Sequence, residues 1–545
     1  MKKRLQTILL VFSVAVLLWV VVYTQACQKK TLLGAQLATK NEIGNITKNS
    51  ALSTQECALY WNGVKLPYNE QTNAYCLPQV LDGQAVGSLS AQWGSVYLPD
   101  WEWQTDWSNA IETGMTFPVY ISDGTQWKCM YVYLSGMPAI AIDSQVRIST
   151  PRDMEVYGYT MGRLPVENNY GTIRVFWPQG NLRQQTVNTG VEWHWRGNAS
   201  YFADKKSYRL NLIDDKGDAD PNELLGLGED SDWILLNLAT DATRVRDKVS
   251  NDLWNQMSEA YEFNLDGAEC EYVELYLNDH YMGVYLLCTK IDQSSLGLTE
   301  QDHLYKLRQA AWLTDADFAQ LDAEQSMEWL NKLEVVWPKR WSSGVWTALQ
   351  NYLNLFYQRK GTLSWDKLEQ TAQLDNLIDV ALYKQFTCAI DNSFQNQYVL
   401  YNGKDGLCYR IPWDMNYTWG DAYEGIMEQD FTTLVIQDYE LNALYQADAQ
   451  RTKEKVAARW SELRNTLFDV DAILQAMQQE TEYLVKSGAW GRDFALWGET
   501  GAYASGLSDY RTLNLEQTEE LLKTRTEYLD EYMADYEPQE GEAVG

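Results

Sequence analysis

Residues 389–420 read AIDNSFQNQYVLYNGKDGLCYRIPWDMNYTWG and carry the most specific pattern in the chain. An acid, Asp391, is followed five positions later by an amide, Asn396. Two apolar runs separated by the turn residues 402–406 predict a β-hairpin. A second acid, Asp414, comes directly after that hairpin. The stretch therefore brings two acids and an amide to the two ends of one hairpin.

This order of acid, amide and second acid is the one in which protein kinases place a catalytic Asp and two metal-binding residues. We therefore expect Asp391 to accept or orient the proton of a substrate hydroxyl. Asn396 and Asp414 offer the oxygen ligands that Mg²⁺ prefers. The D-x-x-x-x-N spacing is short and frequent, and Asp and Asn also occur in ordinary turns, so a structural turn is the alternative.

Composition narrows the class of protein. The 545-residue chain is 45% hydrophobic, which is typical of a globular protein. A formal net charge of −31 argues against nucleic-acid binding, because phosphate backbones need a positive surface. The sequence has no G-x-G-x-x-G loop and no Walker motif, so the standard phosphate-loop classes are not supported. The 23 Trp and 35 Tyr serve a core first, and they leave contact with a cell-surface polysaccharide open.

The first 27 residues predict export. Basic residues at 2–4 precede an apolar run at 8–22, and Cys27 follows shortly after that run. This is the pattern of a signal peptide or of an uncleaved anchor, and Cys27 stands where a bacterial lipoprotein carries its lipid. We therefore expect an exported protein, membrane-tethered through its N-terminus, on the extracellular face.

Composition divides the remainder into four regions. Residues 28–54 are polar and lack periodicity, which predicts a linker. Residues 55–130 carry short apolar pieces between turn signals and predict a small β-rich accessory domain. Residues 131–535 form the main domain, with strands in its first half and helices in its second half. Residues 536–545 form a flexible acidic tail. The expected fold class is α+β.

Periodicity predicts individual elements of the main domain. Strands are expected at 172–177, 192–195, 207–213 and 233–238, and a hairpin at 272–277 and 282–287 around the turn residues Asn278 and Asp279. Helices are expected at 241–259, 326–333, 343–357, 374–388, 443–466, 469–487 and 516–533.

Eight cysteines occur without a C-x-x-C pair, which argues against a zinc ribbon. In an oxidising compartment Cys57 can bridge Cys76, and Cys388 can bridge Cys408. The alternative is that most of the thiols are buried as small apolar groups.

Several ordered motifs between about residues 131 and 500 resemble those of the spore-coat CotH kinase family. The most specific are DNSFQNQYVLY at 391–401 and PWDMNYTWG at 412–420, which are similar to the family's active-site signature. The others are RGNAS and KKSYRLNL within 196–212, LLNLATDATRVRDKVSNDLW at 235–254, VELYLNDHYMGVYLLCTKI at 273–291, LYK at 304–306, LEVVWP at 333–338 and RWSELR at 459–464.

The resemblance implies an atypical protein-kinase-like fold with a β-rich N-lobe and a helical C-lobe. It implies transfer of the γ-phosphoryl group of ATP, with Mg²⁺ or Mn²⁺, to Ser or Thr of an exported or cell-surface protein. Asp391 matches the catalytic acid, and Asn396 and Asp414 match the metal-binding positions.

The resemblance also implies nucleotide-binding residues. Lys205 or Lys206 matches the phosphate-contacting lysine, and Trp413 matches an aromatic residue near the nucleotide. Strand alternation puts Lys206 on the face of Tyr208, so we prefer Lys206 and expect it to point into packed structure. Arg209 is a further candidate cation on the same segment.

Three positions depart from the family's pattern. Ala389 stands where Asn is frequent, and Asn416 stands where a second Asp is frequent. Thr289 replaces a Glu that would pair with the phosphate-contacting lysine. Two alternatives therefore stay open: a non-catalytic member that binds a protein or polysaccharide partner, and a member that transfers a nucleotidyl group.

Overall fold

The computed structural model describes residues 30–78, 87–156, 159–179, 183–197, 203–241, 243–308, 313–329, 332–357, 362–420, 429–498 and 515–538. The predicted signal peptide or anchor at 1–27 lies outside these ranges, as does most of the predicted tail. In the described ranges, no helix is both long and apolar enough to cross a membrane.

The chain forms two compact units. The first holds the described residues up to Ala139 with two later pieces, Phe176–Thr186 and Asp279–Tyr281, and the second holds the remainder. Helices and strands are both abundant, so the predicted α+β class is confirmed.

The first unit is β-rich. Its strands are β1 (Thr31–Leu32), β2 (Ala35–Ala38), β3 (Ala51–Leu52), β4 (Leu59–Trp61), β5 (Val64–Lys65), β6 (Tyr68–Asn69), β7 (Ala74–Leu77), β8 (Leu89–Ala91), β9 (Ser95–Pro99), β10 (Thr116–Ser122) and β11 (Gln126–Leu134). Its helices are α1 (Lys40–Asn49), α2 (Asp100–Trp103) and α3 (Trp107–Thr113). One sheet runs β1-β2-β9-β10-β11-β7-β6 with β3 beside β11, and a smaller sheet runs β5-β4-β8. Alternate residues of β10, Phe117, Val119 and Ile121, are buried and form part of the core.

The described part of the predicted linker, residues 30–54, is not a linker. Ala35–Ala38 pairs in parallel with β9, so this segment belongs to the sheet. The following helix α1 is closed at its start by a capping box between Thr39 and Glu42. Only Ile43 of that helix is buried, which explains why the segment shows no apolar periodicity in the sequence.

The main domain begins with long strands. They are β12 (Ala139–Val156), β13 (Tyr159–Gln179), β14 (Arg183–Arg196), β15 (Ser207–Ile213), β16 (Asn222–Glu223), β17 (Glu229–Asp230), β18 (Asp232–Leu236), β19 (Cys270–Leu277) and β20 (His280–Thr289). Seven of them close into a barrel in the order β12-β13-β14-β15-β18-β20-β19. The hairpin predicted around Asn278 and Asp279 is confirmed. Both residues have positive φ, 52° and 65°, which a two-residue turn with matching twist requires.

A second sheet and most of the helices follow. The strands are β21 (His303–Leu307), β22 (Glu328–Trp329), β23 (Leu333–Trp337), β24 (Gln397–Asn402) and β25 (Leu407–Pro412), in the order β22-β23-β21-β24-β25. The helices are α4 (Arg246–Ser258), α5 (Gln293–Leu296), α6 (Asp315–Glu324), α7 (Thr347–Phe356), α8 (Trp365–Glu369), α9 (Leu374–Thr387), α10 (Tyr439–Ala447), α11 (Ala449–Arg464), α12 (Val470–Lys486), α13 (Ala489–Trp497) and α14 (Glu516–Ala534), with a 3₁₀ turn at Gln429–Thr432.

Two predicted helices are wrong in kind or extent. Residues 326–333 contain β22 and the start of β23 instead of a helix, because Leu333–Trp337 is a β-branched run that pairs with β21. The predicted helix at 443–466 is two helices divided at Asp448. Its side chain accepts a hydrogen bond from the Arg451 N–H and so caps the second helix.

All seven described cysteines are free, and six of them are buried. Neither of the two suggested bridges is present, so burial as small apolar groups is the reading that the structure supports. Cys270 and Cys288, on neighbouring barrel strands, have their sulfur atoms 3.0 Å apart.

Candidate active site

The hairpin of β24 and β25 fixes where the predicted acids and amide lie. Its open end is closed by the pair Gln397 and Pro412, so the next residues outward face each other. The Trp413 N–H donates to the Asn396 carbonyl at 3.0 Å. Asp414 follows immediately, and the hairpin therefore places it beside Asn396.

Asp391 lies in the connection between α9 and β24, and its carboxylate is bound by two amides. Oδ2 accepts from Nδ2 of Asn396 at 2.7 Å, and Oδ1 accepts from Nε2 of Gln395. The amide nitrogen of Asn396 is thus committed to Asp391, and its Oδ1 accepts no hydrogen bond from a described residue. The acid and the amide that the sequence predicted are in direct contact.

A buried amide that sequence analysis missed holds this arrangement together. Nδ2 of Asn392 donates to the carbonyls of Asn396 and Trp413, at 2.9 Å and 2.8 Å. Asn392 is 1% exposed. Asn396 and Asp414 both have positive φ, 53° and 63°, a conformation that Asn and Asp tolerate better than most residues. The position directly after the acid was the signal that could have identified Asn392.

The donor set fits a divalent cation that is shared with a phosphate. Asp414 is half-buried, and among the described residues its carboxylate has no hydrogen bond or ion pair. No group of three or more His, Cys, Asp and Glu in the described part of the chain could hold a metal ion. Mg²⁺ in nucleotide sites takes one or two carboxylates and completes its shell with phosphates and water. Asp414 and the free oxygen of Asn396 match that need.

Lys205, one of the two predicted lysines, is locked in a buried ion pair. It is 1% exposed, and its Nζ donates to Oδ1 of Asp493 at 2.7 Å and to the Val284 carbonyl at 2.6 Å. Arg244 donates to the other oxygen of Asp493 at 2.7 Å. Burial lowers the pKa of Lys205 to about 8, although Asp493 opposes that shift. The lysine is therefore committed to helix α13.

Lys206 does not point into packed structure, and that expectation is wrong. The strand begins only at Ser207, so its alternation does not extend to Lys206. Lys206 is half-buried, and its Nζ lies 5.0 Å from the centre of the Trp195 ring. Arg209, the further candidate, makes a two-pronged contact with Asp232 at 2.9 Å and 2.6 Å. The structure thus does not bring Lys205 or Arg209 to the acids as unengaged cations.

Thr289, one of the departures from the family pattern, lies on β20 away from Lys205. Thr289 Oγ accepts from the Glu269 N–H at 2.9 Å and holds the strand edge. Thr289 pairs with Trp233, five residues along β20 from the Val284 carbonyl that binds Lys205. The carboxylate bound to Lys205 therefore comes from Asp493 on α13 and could not come from position 289. Burial alone would raise the pKa of Asp493, but Lys205 and Arg244 outweigh it and keep that pKa below its usual value.

Trp413 is buried, at 3% exposed, and two cations lie over its ring. Lys306 Nζ is 5.0 Å from the ring centre and Arg196 Cζ is 5.8 Å from it. Tyr398 packs edge-on against the same ring, with 6.2 Å between centres. A ring so covered offers little surface for stacking on a base. Its role as a nucleotide contact stays a prediction.

Lys306 and Arg196 are the cations that sequence analysis did not select. Both belong to motifs noted there, LYK at 304–306 and RGNAS at 196–200, so the signal was present. Lys306 is on β21, directly opposite Tyr398 of β24. Burial lowers the pKa of Lys306 to about 7, and the charges of Arg308 and Arg196 add to the shift.

A buried network of charged side chains links the hairpin to α9 and to residues 438–440. Arg410 of β25 donates from Nε to Oε1 of Gln397 at 2.9 Å and contacts Asp438 at 3.1 Å and Glu440 at 3.3 Å. Lys384 of α9 reaches the same Asp438 at 2.5 Å. Two cations thus face two acids, which is the condition under which buried charge is tolerated.

The other two departures leave this arrangement intact. Ala389 is fully buried just past the end of α9. Asn416 donates from Nδ2 to Oγ of Thr240 at 3.4 Å, in the loop before α4. Neither residue separates Asn396 from Asp391.

Comparison with known proteins gives one finding. A family model described as CotH kinase protein matches residues 194–534. The sequence matches no curated protein. The matched range is more than half of the chain, and it contains Asp391, Asn396, Asp414 and Asp493. The resemblance noted in the sequence is confirmed: the chain belongs to the CotH kinase protein family.

Proposed function

We propose that the protein is a CotH-type atypical protein kinase that transfers the γ-phosphoryl group of ATP to Ser or Thr of exported or cell-surface proteins. Membership of the CotH kinase protein family supports an ATP-dependent phosphotransfer. A barrel of strands followed by a mainly helical half is consistent with the two lobes of a kinase-like fold.

One observation carries the proposal. The side chain of Asn396 binds the carboxylate of Asp391 at 2.7 Å, while its carbonyl binds the backbone next to Asp414. Phosphoryl transfer asks a protein mainly for positioning and charge neutralisation. One amide here couples a carboxylate suited to the substrate hydroxyl with a carboxylate suited to a metal ion.

In this mechanism Asp391 binds the substrate hydroxyl and accepts its proton. The amides of Gln395 and Asn396 donate one to each carboxylate oxygen and so fix its orientation. Asn396 Oδ1 and Asp414 would hold Mg²⁺ or Mn²⁺, which with ATP supplies the transferable group and neutralises its charge. Asn392 keeps both positions in register.

A non-catalytic family member that binds a protein or polysaccharide partner is the second candidate. Lys205 favours it, because a lysine bound to Asp493 and the Val284 carbonyl has little capacity left for a phosphate. Trp101 and Trp195 are exposed aromatic residues of the kind that sugar-binding surfaces use.

Labelling with two forms of ATP separates these functions. The full chain in mild detergent is incubated with Mg²⁺ or Mn²⁺ and ATP labelled at the α or the γ phosphate, with an exported-protein extract as acceptor. We expect γ label on protein and a loss of about 10²-fold or more in Asp391→Asn, since general-base contributions have that size. Asp215→Asn, an exposed acid in a loop, is the matched control and should keep full transfer.

The other outcomes are equally definite. Transfer of α label would establish nucleotidyl transfer. If neither label is transferred and Mg-ATP does not raise the melting temperature, the kinase proposal fails and the binding role is favoured.

A further inference from the structure

Two cations beside the candidate active site make no ion pair with an acid of the described residues. Lys306 and Arg196 lie over the ring of Trp413, at 5.0 Å and 5.8 Å from its centre. Among the described residues, neither side chain makes an ion pair or donates a hydrogen bond. Asp414 follows that tryptophan directly in the chain, and its charge acts on Lys306.

The sheet explains why Lys306 forms no ion pair. It lies opposite Tyr398 of β24 and Glu334 of β23. Glu334 instead makes its ion pair with Arg308 at 2.5 Å, and only its more distant charge acts on Lys306. The ammonium instead lies over two aromatic rings, those of Tyr398 at 5.3 Å and of Trp413. Aromatic faces stabilise a cation without neutralising it.

Two of the cations predicted on the segment 205–209, in contrast, form ion pairs with acids. Lys205 is bound to Asp493, and Arg209 is bound to Asp232. A protein with a net charge of −31 has acids in excess, so two cations that share one aromatic ring and form no ion pair require an explanation. A site for a bound anion is the simplest one, since such a site must leave positive charge unneutralised.

We propose that Lys306 and Arg196 form the cationic pair that binds the phosphates of the nucleotide. This assignment rests on the phosphoryl transfer proposed above, and it gives Lys205 a structural role. Arg196 contributes a planar fork of donors and Lys306 a compact charge, a combination suited to a chain of phosphates. Asp414 on the same side would meet the metal ion that such phosphates carry.

Calorimetric titration of the full chain in mild detergent tests the pair. The probes are Mg-ADP, inorganic tripolyphosphate and adenosine, and the variants are Lys306→Met, Lys306→Arg and Arg196→Met. We expect Lys306→Met and Arg196→Met to weaken Mg-ADP and tripolyphosphate at least 10-fold, with Lys306→Arg recovering part of the loss. Adenosine, which has no phosphate, should bind each variant as it binds the unaltered chain.

Two lysine controls separate charge from fold. Lys404→Met, in the exposed turn of the hairpin, should bind all probes normally. Lys205→Met should lower the melting temperature yet keep the affinity for Mg-ADP in the folded protein. If Lys205→Met instead abolishes that affinity while Lys306→Met and Arg196→Met leave it unchanged, the assignment is overturned.

The probes also separate this assignment from the function beneath it. If tripolyphosphate binds in a Lys306-dependent manner but no label is transferred, the anion site is supported and the proposed kinase activity is rejected. Label transfer that survives in Lys306→Met and Arg196→Met would keep the kinase and reject the anion site. Absence of binding of both Mg-ADP and tripolyphosphate to the unaltered chain would reject the pair.

Discussion

At the scale of single residues, the site depends on one amide. Asn392 uses both hydrogens of Nδ2 to bind the carbonyls of Asn396 and Trp413, and it is buried. No other residue type of this size can donate twice from one nitrogen while fitting the same space. Asn392 is therefore a positioning residue for Asp391 and Asp414.

We predict that Asn392→Ala lowers both stability and transfer. The buried Trp413 carbonyl loses the Asn392 donor, and the part-buried Asn396 carbonyl loses one of its two donors, which costs about 1–3 kcal/mol of unfolding free energy. The rate constant of the folded protein should fall as well, since Asn396 and Asp414 lose their common support. Thermal melts and labelled-ATP transfer, measured well below the melting temperature, check the two effects.

Asn376→Ala is the matched control for this prediction. Asn376 is also buried, and it binds the N–H and the carbonyl of Arg410 instead of the residues that support Asp391 and Asp414. It should lose stability while its folded fraction transfers at the normal rate. Equal transfer rates in the two variants would reduce Asn392 to a structural role.

Residue identity could be predicted only where local spacing was enough. Asp391 and Asn396 are neighbours because only four residues separate them, and Asn396 and Asp414 are neighbours because a hairpin visible in the sequence lies between them. The choice between Lys205 and Lys206 depended on where β15 begins, and one residue of difference reverses which side chain is buried.

At the scale of elements, helix α13 stabilises the barrel through one carboxylate. Asp493 accepts from Lys205, from Arg244 and from the Val284 N–H, all buried. Gly283 makes room for it, because a Cβ there would lie 2.2 Å from Oδ1 of Asp493. A helix near the C-terminus thus supplies one carboxylate that pairs with two cations of the strand-rich half.

This contact predicts a loss of stability in acid. Lys205 and Arg244 outweigh the burial of Asp493 and hold its pKa below 3.8. As pH falls below about 4, the unfolded chain takes up a proton that the native carboxylate resists, so the free energy of unfolding decreases. Urea unfolding between pH 3 and pH 7 measures the slope.

Asp493→Asn should remove part of that slope and cost about 3–5 kcal/mol at neutral pH, because two buried cations lose their counter-ion. Asp215→Asn, which is exposed, should change neither quantity. Identical slopes in Asp493→Asn and the unaltered chain would show that this acid does not set the acid limit.

Elements were predictable when one periodicity was clear. The strand at Ser207–Ile213 and helix α9 are close to their predicted bounds. Residues 326–333 failed because apolar residues at three- and four-residue spacing overlapped the start of a β-branched run, and pairing with β21 decided in favour of the strand. The role of Asp493 had no local signal, since its partners lie in distant parts of the sequence.

At the scale of the whole molecule, the sequence of the N-terminus bears on where in the cell the protein is located. We propose that the protein is exported and tethered by residues 1–27, which lie outside the described ranges. Basic residues before an apolar run and Cys27 after it support this proposal.

Cell fractionation tests the tether. The full chain should sediment with membranes and be cut by protease added outside the cells, whereas a chain lacking residues 2–27 should remain in the cytosol. Cys27→Ser should release the protein if a lipid holds it, and should leave it bound if the apolar run is an uncleaved anchor. A full chain found protected in the cytosol would contradict the proposal.

The pair of Lys205 and Asp493 also has a consequence for time. The two residues are 288 positions apart. At a synthesis rate of about 5–20 residues per second, Lys205 is added to the chain roughly 14 to 60 seconds before Asp493. During that interval Lys205 lacks its carboxylate partner. Its ammonium group therefore stays hydrated, or the barrel stays open. The strand-rich half is synthesised first, but its buried ion pair can form only after helix α13 has been synthesised.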